Sequence, residues 1–148
     1  MIKLRNYQSD VFLQIHKSVK RGQNPCVVLP CRSGKSYIIA KICEKTKGDV
    51  LVMAHRTELL SQLSELLNPY KNVRVASVFT EVRRLGRYSA PKIIIIDEAH
   101  LSEAASYKKV CEFYADSVRI LFTATPARLD GKPLTLADEL IVGVSMRE

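Results

Sequence analysis

The chain has 148 residues, enough for one domain with a sizeable core and too few for two ordinary ones. Its 23 lysines and arginines against 15 acids give a formal charge of +8, which suits a polyanionic partner. No apolar run approaches the ~20 residues of a membrane span, and Met1-Ile2-Lys3-Leu4-Arg5 lacks the apolar centre of a signal peptide, so a soluble cytoplasmic domain without a membrane partner is expected. Cys26, Cys31, Cys43 and Cys111 form no close CxxC pair, and His16, His55 and His100 complete no zinc-ligand spacing. Reduced, mostly buried thiols are the expectation.

Short apolar strands alternate with helical patterns along the chain. Residues 8–20 carry Val11, Phe12, Ile15 and Val19 at helical spacing. Cys26–Pro30 reads as a strand, Ser36–Lys47 as a helix and Val50–Ala54 as a second strand. Thr57 caps a predicted helix through Leu67, with Leu59, Leu60, Leu63, Leu66 and Leu67 facing inward. A strand over Val73–Phe79 and a short helix from Thr80 follow. Lys92–Ile96 is the most apolar strand, residues 106–115 are helical, Val118–Phe122 is a strand, and Leu140–Val144 is a candidate last one. This alternation predicts an α/β fold with a mainly parallel sheet covered on both faces.

Two segments carry chemistry. Ile93-Ile94-Ile95-Ile96 is a β-branched run of the kind buried on both faces, and Asp97 and Glu98 emerge at its carboxyl end, where open α/β sheets place their ligands. Adjacent acids after so apolar a run are costly unless a positive group compensates them. Ser33-Gly34-Lys35-Ser36 offers one: it follows Val27-Val28-Leu29-Pro30 and precedes an apolar helix, the order of a phosphate cradle. Loop amides around Arg32, Ser33 and Gly34 would face phosphate oxygens. Lys35 would reach the β- and γ-phosphates of ATP, and the Ser36 hydroxyl would bind Mg2+ together with Asp97, directly or through water. Glu98 would position and polarise the attacking water. The strict GxxxxGK[ST] pattern fails at its first position, Leu29. Arg32 either supplies a cation for the transition state or points into solvent.

With both segments in place, the chain resembles the first RecA-like motor domain of DEAD/DEAH-type superfamily 2 helicases and translocases over nearly its whole length. Leu29–Ser36 resembles motif I, Val52–Leu60 motif Ia, Asp97-Glu98-Ala99-His100 motif II in its DEAH variant, and Phe122-Thr123-Ala124-Thr125-Pro126 motif III. Leu4-Arg5-Asn6-Tyr7-Gln8 is similar to the family's adenine-recognition element, which implies that Gln8 bonds the base and that Tyr7 or Arg5 packs on it. The resemblance further implies a three-layer P-loop NTPase domain over residues 1–148. It places His55 and Arg56 on nucleic-acid phosphates, with Thr80, Arg83 and Arg84 near the next such contact. His100 would relay between motifs II and III, and Thr123 and Thr125 would couple nucleotide state to nucleic-acid binding. The wording of motifs Ia and III favours DNA over RNA by family analogy.

Two departures shape the functional expectation. Arg32 stands where the family usually has glycine, and the chain ends soon after motif III, so a second RecA-like domain, in cis or in trans, is expected to supply the closing arginine. The sequence thus predicts an ATP-dependent helicase or translocase represented by its first domain, hydrolysing weakly without its second. A catalytically degenerate module that binds nucleic acid or protein without turnover is the competing expectation.

Overall fold

β-branched runs build most of the strands, and amphipathic segments build the helices between them. The computed structural model describes residues 3–29, 34–54, 57–97, 105–123 and 138–142. In chain order these form α1 (Asn6–Lys20), β1 (Pro25–Val28), α2 (Lys35–Lys45), β2 (Val50–Ala54), α3 (Thr57–Leu67), β3 (Val73–Ser77), α4 (Val78–Arg83), β4 (Ile93–Asp97), α5 (Ala105–Phe113), β5 (Val118–Thr123) and β6 (Glu139–Val142). The strands make one six-stranded sheet in the order β3-β2-β4-β5-β1-β6. Every pairing in it is parallel.

Strand alternation divides the apolar side chains between two faces. Val27, Val50, Val52, Ile93, Ile95, Ile120 and Phe122 pack against Val11 and Ile15 of α1, Ile38, Ile39 and Ile42 of α2, and Leu63 and Leu67 of α3. Leu51, Met53, Ile94, Ile96 and Leu121 face the other way, against Val78 of α4 and Tyr107, Val110 and Cys111 of α5. The result is the expected three-layer arrangement, with β2 and β4 buried along their whole length. On α3, Leu63 and Leu67 are buried, whereas Leu59, Leu60 and Leu66 are only partly covered.

Several boundaries differ from the sequence reading, for local reasons. α1 starts at Asn6 rather than residue 8, and the Gln8 side chain accepts the Arg5 N–H at 2.8 Å. α2 opens one residue early, at Lys35, and ends at Lys45 with the Thr46 hydroxyl donating to the Ile42 carbonyl at 2.6 Å. β3 stops at Ser77 instead of Phe79, because the Ser77 hydroxyl accepts the Thr80 N–H at 3.1 Å and caps α4. β4 runs one residue further, to Asp97, and β5 to Thr123, each through its pairing with the neighbouring strand. α5 gives way after Phe113 to a turn in which the Ser117 N–H bonds the Tyr114 carbonyl at 3.0 Å. The last strand is Glu139–Val142; Pro30, Gly143 and Val144 lie outside the described residues.

Candidate nucleotide and nucleic-acid site

Parallel pairing brings the carboxyl ends of β4, β5 and β1 side by side, with Asp97 level with Phe122 and Thr123 level with Val28. Beyond β1, Gly34 stands in the left-handed region at φ 81°, ψ 25° and forms the N-cap of α2. This glycine is required twice over. A side chain there would be strained, and a Cβ would lie 2.0 Å from Gln8 Nε2. Gln8, only 4% exposed, donates from that nitrogen to the Gly34 carbonyl at 3.3 Å while its Oε1 holds Arg5. The α1 element predicted to meet adenine is thereby tied to the turn predicted to meet phosphate. Tyr7, partly buried, reaches the same turn through its hydroxyl.

Lys35 is the first residue of α2, and its Nζ lies 2.6 Å from Asp97 Oδ1. The Asp97 side chain is fully buried while that of Lys35 keeps 27% exposure. An ammonium beside a buried carboxylate offsets the cost of desolvating it. Its solvent side leaves the lysine approachable by a phosphate. The amino end of the 11-residue α2 adds main-chain donors and partial positive charge at the same point. Ser36, partly exposed, follows Lys35 in this first turn. Thr123 is 1% exposed at the end of β5, and its carbonyl accepts the Leu29 N–H at 3.0 Å, joining the exits of β1 and β5.

The structure therefore brings together Gln8, Gly34, Lys35 and Asp97, with Ser36 and Thr123 at the same sheet edge. Arg5 is exposed, with its main-chain N–H engaged by Gln8. Arg32, Ser33, His55, Arg56, Glu98, His100 and Thr125 lie outside the described residues. Of the other predicted nucleic-acid contacts, Thr80 is partly exposed near the start of α4, where its hydroxyl lies 3.0 Å from that of Ser77, and Arg83 and Arg84 are exposed at the end of the helix.

Two networks escaped the sequence reading. Arg74 of β3 grips the fully buried Glu81 of α4 through paired bonds of 2.7 and 2.9 Å, and its guanidinium lies 4.0 Å above the Tyr88 ring. The spacing of Val78, Glu81, Val82 and Leu85 was a usable signal, since it sets Glu81 on the apolar face of a helix. Asn24 accepts the Arg119 N–H at 2.8 Å and donates to Asp138 at 2.8 and 2.9 Å, linking the amino ends of β1, β5 and β6. Its partners lie 95 and 114 residues away, so no local pattern announces it.

The family model of the type III restriction enzyme, res subunit, matches residues 1–87 and 77–128. A 51.5 kDa protein of Lactococcus phage (isolate 7-9) is 39% identical over 109 residues, covering 69% of this chain and 24% of that protein. The DNA 3′–5′ translocase XPB2 of Sulfurisphaera tokodaii is 30% identical over 149 residues, covering 88% of this chain and 33% of that protein. The solved Hef helicase domain of Pyrococcus furiosus shares the fold, with a TM-score of 0.80 and 22% identity over 94% of this chain and 37% of that one. No helix among the described residues is long and apolar enough to cross a membrane. The chain spans about a quarter to a third of the length of the curated relatives it matches.

Proposed function

Because the chain belongs to the family of the type III restriction enzyme res subunit and has the N-terminal RecA-like domain of superfamily 2 helicases, we propose that it forms the ATP-binding half of a DNA motor. The observation that carries this reading is the 2.6 Å pair between Lys35 and the buried Asp97. Two distant segments of sequence meet there at the edge of the sheet where α/β folds bind ligands.

In this reading the turn at Gly34 and the first amides of α2 hold the phosphates of ATP. Lys35 shifts its ammonium from Asp97 to the β- and γ-phosphates. A hydroxyl and a carboxylate are the donor types that Mg2+ accepts alongside phosphate oxygens and water, so Ser36 and Asp97 fit that ion. Bound Mg2+ supplies neutralisation of phosphate charge. Glu98 orients the attacking water, and His100, Thr123 and Thr125 transmit nucleotide state across the strand ends. Gln8 reads the adenine, with Tyr7 or Arg5 against the ring. His55, Arg56, Thr80, Arg83 and Arg84 meet phosphates of the DNA. The formal charge of +8 and a relative whose name is DNA translocase support DNA as the polymer. A second RecA-like domain, in cis or in trans, closes over the nucleotide and contributes the arginine; relatives about three times as long leave room for one.

Phosphate release from ATP, with and without single-stranded DNA, tests this reading. Wild-type chain releases phosphate slowly and faster with DNA, while Lys35→Ala and Glu98→Gln lose the signal. Equal rates in all three would instead leave a binding module without turnover.

A further inference from the structure

Phe79 is 51% exposed, although the valine before it is buried. α4 turns Val78, Glu81 and Val82 towards the α5 side of the core, so Phe79 and Arg83, one helical turn apart, share its outer side. Arg83, Arg84 and Arg87 are all exposed. Glu81 is the acid of this segment; it is fully buried and its charge is taken up by Arg74. The outer face is thus aromatic and cationic, with no acid of its own. A six-residue helix does not hold itself in water, and the Arg74–Glu81 fork, with the guanidinium stacked on Tyr88, anchors this one to β3.

The position suits a polymer running past the nucleotide. Ser77, the last residue of β3, is level with Ala54, the last of β2. With neighbouring strands about 4.8 Å apart, the exit of β3 lies about 10 Å from that of β4, which carries Asp97. Arginines beside an exposed aromatic ring are the chemistry that holds an unpaired nucleic-acid strand: the cations track its phosphates while the ring stacks on a base. A base inside a duplex is covered on both faces by its neighbours and offers no such surface.

We propose that Phe79 is a base-stacking platform for single-stranded DNA, with Arg83 and Arg84 holding the adjoining phosphates. The proposal rests on the DNA-motor reading and adds that the bases of one unpaired strand are met on this face. The chain has no tryptophan, so Phe79→Trp places a single reporter at the platform. Oligothymidylate quenches that fluorescence saturably, and an abasic strand of equal length does not. In anisotropy titrations Phe79→Ala weakens oligothymidylate binding about five- to a hundredfold, leaves abasic-strand binding unchanged and keeps the salt slope. Arg83→Ala weakens both strands and lowers the slope by about one. Wild-type affinity in Phe79→Ala, or equal losses on both strands, overturns the platform alone. A wild-type chain that binds no single-stranded DNA overturns the platform and the reading beneath it.

Discussion

Gly34 shows how little freedom the turn before α2 leaves. Its φ is in the left-handed region and Gln8 Nε2 occupies the place of a Cβ. Gly34→Ala is expected to cost about 1–3 kcal/mol and to weaken ATP binding, because Gln8 must leave its slot. Thermal melting beside an ATP titration checks this. In a Gln8→Ala background the steric part is already gone, so the same substitution costs less; equal costs in both backgrounds would deny the coupling. The sequence exposed Gly34 and Lys35 through the order strand, turn, helix, and exposed Gln8 through family resemblance. The Gln8–Gly34 contact itself was hidden, since it joins residues 26 positions apart that carry no periodic pattern.

Among the elements, β4 was the most legible, because four isoleucines in a row suit a strand buried on both faces. α4 was the least, being short and capped by a serine that also reads as strand. Its orientation depends on Arg74 and Glu81. Arg74→Ala leaves Glu81 buried without its fork, and a loss of about 3 kcal/mol in urea unfolding is expected. Arg74→Leu combined with Glu81→Leu costs markedly less, because no charge is then buried alone. A double variant as unstable as Arg74→Ala would show that the pair is not what anchors the helix.

The whole molecule carries a pH dependence in its thiols. Burial pushes Cys26 and Cys111 up to about 11 and Cys43 up to about 12, from a model-peptide value of 9.0. Above pH 9 the unfolded chain sheds these protons while the folded chain keeps them. Their contribution is therefore intact below pH 9 and falls as pH rises towards the folded values, by about 1 kcal/mol per thiol at pH 10. Urea unfolding at pH 8 and pH 10 reads the loss, and Cys43→Ala removes its share; a profile flat to pH 10 would count against thiol burial as the cause. At the same scale, the three-layer parallel architecture was legible from the alternation of strands and helices, whereas the Asn24 tie between the first and last strands was not. Lys35 and Asp97 meet at the proposed nucleotide site. That proposal is tested most directly by titrating the chain with ATP in the presence and absence of Mg2+, beside Lys35→Ala. Saturable binding that strengthens with Mg2+ and weakens at least about tenfold in Lys35→Ala is the expected result. Binding unaffected by the loss of Lys35 would contradict it.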